Sequence, residues 1–171
     1  MFGSGMTKRV SFSALALVFL AGFITVLADP AAAGDGYPPC GPACDRKDPQ
    51  TYEFHYNPRV PDRSIICSAS ATNKGTASTA NATITLRYST ACETTWGRYA
   101  ITGTPFVETI HQSKYTDGTM RVTLRNETGI GSWTLMLNDH NLLNRVCLHD
   151  YYTEENYVAG RIQEIKCTVW Y

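Results

Sequence analysis

A chain of 171 residues is long enough for one domain and too short for two comfortable ones. Its 15 basic and 15 acidic side chains balance, which speaks against nucleic acid as a partner, because phosphate neutralisation needs a basic surface. The same balance gives no case for docking on an anionic membrane.

The first segment has the order of parts of a secretory signal peptide. Lys8 and Arg9 form a short positive region, and Val10 to Leu27 is almost wholly apolar. Small residues follow, with Pro30 among them. Cleavage fits after Ala28 or, better, after Ala33, where Ala31-Ala32-Ala33 obeys the small-x-small rule and Pro30 lies upstream of the cut. An uncleaved anchor is the alternative, and the apolar run is near the lower length limit for a span. Residues 1–33 are thus read as the signal and 34–171 as one secreted domain. Loss of Lys8, Arg9 and Asp29 leaves that domain with a net charge of −1.

Gly34 to Pro49 is rich in Gly, Pro, Asp and Cys and reads as an irregular arm tied down by its cysteines. Tyr52 to Tyr56 alternates aromatic with polar residues, a strand pattern ended by Asn57-Pro58. Ser64 to Ala71 reads as a short strand. Ala71 to Ala82, built of Thr, Ser, Ala, Asn and Gly, is expected to be a mobile loop. Thr83 to Ser89 alternates strictly, with Ile84, Leu86 and Tyr88 inward and Thr83, Thr85 and Arg87 outward. Further strands are expected at Trp96–Ile101, Phe106–His111, Met120–Arg125, Trp133–Leu137, Leu142–Leu148 and Arg161–Trp170, with a hairpin turn at Asp117-Gly118. No window carries a capped helical stripe. Short strands with turn residues between them point to an all-β, mainly antiparallel sandwich or small barrel.

All six cysteines (Cys40, Cys44, Cys67, Cys92, Cys147 and Cys167) follow the signal, and an even number in an exported chain reads as three disulfides. The C-x3-C spacing of Cys40 and Cys44 also suits zinc, but no second close pair completes a tetrahedral set. Six cysteines allow fifteen connectivities. The expected one joins Cys147 to Cys167, Cys44 to Cys67 and Cys40 to Cys92.

Leu86-Arg87-Tyr88-Ser89, then Cys92, then Trp96-Gly97-Arg98, resembles the signature of YjfA-like secreted bacterial proteins, in which Ala usually stands where this chain has Gly97. Cys40 and Cys44 followed by Lys47-Asp48-Pro49 resemble that family's opening, with Arg46 in place of its Gly, and Cys167-Thr168 resembles its close. The segment from Tyr52 to Ile66 is longer than the family's spacing. The resemblance implies export, disulfides and a compact β-rich domain, and implies no activity.

Within the signature, Arg87 and Arg98 lie near each other or on opposite faces, depending on strand register. They serve either as a cation–π partner of Trp96 or as an anion or carboxylate site. Glu108 and His111 are the nearest acid–base pair, but an odd offset on a strand sends them to opposite faces. Asp139-His140 and His149-Asp150 meet the same objection outside a turn. No two histidines have His-x-His or His-x3-His spacing, so no metal site is indicated, and no nucleophile motif appears; no cofactor is expected. Tyr52, Phe54 and Tyr56 form an aromatic stripe, read as a core face or a surface that stacks on a ligand. Tyr151, Tyr152 and Tyr157, with Glu154 and Glu155, fall in an expected loop that either anchors on the core or binds. The function expected is a non-enzymatic, extracellular or cell-envelope binding module for an unknown ligand, with no cofactor and no membrane after signal cleavage. The alternative is an extracellular hydrolase using Glu108, His111 or the Asp139-His140 turn.

Overall fold

The computed structural model describes residues 40–55, 64–127, 129 and 131–171. Residues 1–39, which include the segment expected to be the signal, and residues 56–63, which include Tyr56, lie outside these residues. Among the described residues there are ten strands: β1 Glu53–His55, β2 Ser64–Ile66, β3 Ala71–Ser78, β4 Ala82–Ser89, β5 Thr94–Ile101, β6 Val107–Tyr115, β7 Met120–Arg125, β8 Leu137–Asn138, β9 Leu142–Asp150 and β10 Glu164–Cys167. Among the described residues the one α-helix, α1, is Glu154–Val158, capped by the Thr153 hydroxyl accepting from the Asn156 amide. Every strand pair is antiparallel, in a β1–β2 hairpin and two four-stranded sheets ordered β3-β4-β5-β8 and β10-β9-β6-β7. The all-β, sandwich-like expectation holds.

Period-two patterning explains the main core. Ile84 and Leu86 project from β4 to meet Val146 and Leu148 of β9, with Ala77 and Ala82 beside them. Tyr99 and Val107 close this cluster. Gly97 lies opposite Leu86 on the same inner face. A Cβ there would come within 2.8 Å of Ile84 Cδ1 on the neighbouring strand, so the position where the resembled signature usually has Ala is tightly packed by Ile84 in this chain. One end of the sheet interface is polar: Thr95, His111, Ser113 and Asn144 are all fully buried.

A second core covers part of the other face of the first sheet. Trp96, fully buried, packs with Met136 and the four cysteines Cys40, Cys44, Cys67 and Cys92, and Tyr52, Phe54, Ala71 and Trp133 lean on the cluster. Only one expected disulfide forms, Cys147–Cys167, where the two residues face each other across β9 and β10. The others are Cys40–Cys44, with Cα atoms 5.6 Å apart, and Cys67–Cys92 at 5.7 Å, correcting the expected Cys44–Cys67 and Cys40–Cys92. The physical reason is local. A one-turn 3-10 helix, Gly41–Cys44, brings Cys40 within bridging reach of Cys44, so that bridge ties the arm only to itself. Contacts from Asp45, Arg46 and Lys47 attach the arm to the sandwich. Asp45 pairs with Arg121 and accepts from the Asn138 amide, Arg46 pairs with Glu127, and the backbones of Arg46 and Lys47 bond to Met136.

The loop expected over Ala71 to Ala82 is instead strand β3 from Ala71 to Ser78, paired along its length with β4 around a bulge at Lys74. Small, β-branched residues suit that edge position, and Thr76–Thr85 and Ser78–Thr83 hydroxyl bonds at 3.1 and 3.0 Å join the strands. The strand expected over Trp133–Leu137 is broken. Backbone bonds there run in turn to Gly97, Glu127 and Lys47, leaving a bridge at Trp133 and the two residues of β8. The Asp117-Gly118 hairpin forms as expected, with Gly118 at φ +93° and the Asp117 carboxylate capping the Thr119 amide at 2.8 Å.

Candidate functional site

The outer face of β3–β4–β5 collects the polar half of the signature. Leu86 and Tyr88 turn inward, so Arg87 turns outward with Thr83 and Thr85. The register pairs Arg87 with Trp96 and Thr85 with Arg98, which places both arginines on one face at diagonal positions. Trp96 is covered by the disulfide cluster, so the expected arginine–Trp96 stack is replaced. Arg98 lies over Trp133 instead, at 5.2 Å from the ring centroid, with Trp133 bridged directly to it. Toward the open end of the face run the two hydroxyl rows, Thr76–Thr85 and Ser78–Thr83.

The charge balance on this face is uneven. Elsewhere among the described residues, Arg46, Arg121, Arg125, Arg161 and Lys166 each meet a carboxylate. Lys47, Lys74, Lys114 and Arg145, like Arg98, lie over aromatic rings. Arg87 has neither. Its two Nη atoms donate to Asn73 Oδ1 at 2.8 Å and the Ala71 carbonyl at 2.9 Å, and its buried Nε has no partner. Burial, and next the charge of Arg98, push its pKa below the ordinary arginine value. Two guanidiniums therefore share one face with no carboxylate paired to either among the described residues.

The expected acid–base pairs separate. His111 is enclosed between the sheets, where Nδ1 donates to the Leu135 carbonyl at 3.0 Å and Nε2, 3.1 Å from the Thr95 hydroxyl, accepts from it. Burial pulls its pKa down to about 4 against the opposing effects of the Leu135 carbonyl and Asp45, so it is neutral. Glu108 points to the opposite side of β6. There its Oε2 accepts from Arg125 at 3.0 Å and the Tyr151 hydroxyl at 3.2 Å, with His149 Nδ1 at 3.2 Å outside hydrogen-bond geometry. Glu108 and His149 face each other across β6 and β9, a cross-strand neighbourhood invisible to a search along the chain. Burial lowers the His149 pKa more than Glu108 raises it. Asp139 and His140 diverge: Asp139 accepts from Asn144, and His140 turns to Glu93. Burial raises the Asp139 pKa to about 7, while the Asn144 bond opposes it. Asp150 holds Asn81 and the Tyr152 amide on the face away from His149. No serine, threonine or cysteine nucleophile makes a hydrogen bond to the Glu108–His149 pair among the described residues.

Tyr52 and Phe54 are half-buried against the disulfide cluster, while Tyr56 lies outside the described residues. Tyr151 is buried, bonded to Glu108 and edge-on to Tyr157 at 5.1 Å. Tyr152 adopts φ +63° and stays exposed, donating to Glu164 at 3.0 Å. Every cysteine is in a disulfide, and among the described residues no cluster of three His, Cys, Asp or Glu side chains is placed to hold a metal. Trp133 and the Thr76 and Ser78 hydroxyls escaped sequence reasoning. The Thr83-x-Thr85 alternation marked the face, but its partner strand reads as a loop by composition.

No curated protein and no solved structure matches the chain. A family profile matches residues 42–147, from the disulfide arm through the signature to β9, so the chain belongs to the family described as protein of unknown function, DUF2690.

Proposed function

We propose that the mature chain is a secreted, non-enzymatic binding module of the extracellular space or cell envelope, using the open face that carries Arg87, Arg98 and Trp133. One observation supports this above others: two guanidiniums lie on one face of a disulfide-stapled sheet, with no carboxylate paired to either among the described residues. Polar groups held by rigid strands suit recognition, because little order is lost on binding. The hydrolase alternative has less support, since Glu108 and His111 leave β6 on opposite sides and Asp139 and His140 have separate partners. Export rests on the Lys8-Arg9, apolar and Ala31-Ala32-Ala33 sequence, and the YjfA-like naming rests on the Leu86–Arg98 signature.

The test begins with the intact mass of the secreted protein, expected to match Gly34–Tyr171 less six hydrogens. Co-sedimentation of that oxidised form with washed cell-envelope fractions follows. Retention in the pellet, lost on reduction and unfolding, is the expected result. A protein left in the supernatant with every fraction sinks the binding-module reading.

A further inference from the structure

We propose that Arg87 and Arg98 together hold an oxyanion, a carboxylate or phosphate group, on a hydroxyl-rich extracellular polymer. The proposal rests on the binding-module reading and names the chemistry of that surface. Like charges at diagonal positions on paired strands repel. Each of the other described cations is given a carboxylate or a ring, and Arg98 has its ring in Trp133, so the uncompensated charge is concentrated at Arg87 beside Arg98. An oxyanion between them removes the repulsion, and the guanidinium fork matches two oxygens of a carboxylate or phosphate.

The donors are prepared for this. Arg98 stacks on Trp133 and makes no side-chain hydrogen bond among the described residues, so its guanidinium hydrogens are available. Arg87 is fixed by Asn73 and the Ala71 carbonyl, which leaves a second hydrogen on each Nη. Thr85 lies directly opposite Arg98 on the same face. In each of the Thr76–Thr85 and Ser78–Thr83 pairs, one hydroxyl donates to the other, leaving one hydroxyl hydrogen and spare lone pairs for a ligand's own hydroxyls. Sugar acids and polyol phosphates share this combination of oxyanion and hydroxyls.

The experiment titrates the oxidised, full mature protein with polygalacturonate, poly(glycerol phosphate) and neutral dextran by calorimetry. At least one polyanion is expected to bind, more weakly as salt rises from about 50 to about 300 mM, while dextran does not. Whichever polyanion binds more tightly identifies carboxylate or phosphate as the source. Arg98→Gln and Arg87→Gln are each expected to weaken binding by about tenfold or more, whereas the charge-matched control Lys114→Gln on the other sheet stays within about twofold. Should Arg87→Gln unfold, Arg98→Gln, altered at an exposed side chain, decides alone. The proposal is overturned if folded wild-type protein binds neither polyanion, if Arg98→Gln binds as wild type does, or if the control loses as much. Retention on envelope fractions together with any of these results leaves the binding-module reading standing without its oxyanion.

Discussion

Replacing Gly97 with Ala tests how tightly Ile84 of β4 packs over β5 on the inner face of the first sheet. The signature this segment resembles usually has Ala at this position, yet here an added Cβ would meet Ile84 Cδ1 at 2.8 Å, Ile84 Cγ1 at 3.2 Å and Thr134 Cγ2 at 3.2 Å. Ile84 is fully buried, so its terminal methyl has no open space to turn into. Overpacking of this kind costs about 1–3 kcal/mol. Against that, Gly→Ala at a position without positive φ gains about 0.4–1 kcal/mol from the unfolded chain. Gly97→Ala alone is therefore expected to destabilise by about 1–2 kcal/mol. Ile84→Val alone removes the offending methyl and costs about 0.5–1.5 kcal/mol as a small cavity. In the double variant the new Cβ occupies the space that methyl vacates. Its stability is expected within about 1 kcal/mol of wild type, with a favourable coupling of at least about 1 kcal/mol between the sites. Guanidinium unfolding of the four oxidised proteins, with equal denaturant slopes, measures this cycle. Strictly additive effects would falsify the idea that Ile84 fills the volume left by the missing Cβ.

The remaining expectations concern ionisation, disulfides and the Glu108 cluster. His111 titrates near 6.5 when unfolded and about 4 when folded, so the unfolded state binds more protons in that window and stability falls by about 3 kcal/mol as pH drops through it. Asp139 has the opposite sign: its folded pKa is raised from 3.8 to about 7, so its contribution is present at low pH and lost as pH rises through that range. The two slopes oppose each other between about pH 4 and 6.5. Unfolding curves across that range are expected to steepen with rising stability in Asp139→Asn, and to show the opposite trend in His111→Gln; parallel profiles for both variants and wild type would refute the assignment. Paired Cys→Ala removal of Cys147–Cys167 or Cys67–Cys92 is expected to cost about 3 kcal/mol and of Cys40–Cys44 about 2, following loop length; equal losses in thermal unfolding would contradict a chain-entropy origin. Glu108→Ala strips the buried Tyr151 hydroxyl of its acceptor and is expected to destabilise by about 1–3 kcal/mol without changing retention on envelope fractions. Loss of retention in a stably folded variant would move the binding surface to this side of the molecule.

The alternating runs were legible because a strand's two faces are written two residues apart. Ile84 and Leu86 were assigned to the core and Arg87 to the outer face from pattern alone, and the structure agrees. The all-β class and the existence of disulfides followed from the same local information, together with the even cysteine count. Tertiary structure decided what pairs with what. Register brought Arg87 and Arg98 to one face, and coverage of Trp96 by the disulfide cluster gave Arg98 a different ring. The β3 strand was hidden because Thr, Ser, Ala and Gly carry little hydrophobic periodicity, and it is pairing with β4 that makes them a strand. Glu108 likewise met His149 and Tyr151 rather than His111, since its neighbours come from β9 and the residues just after it. The sequence by itself determines which side of each strand a residue occupies, because backbone geometry is local; which side chains meet across strands is a long-range choice, made by packing.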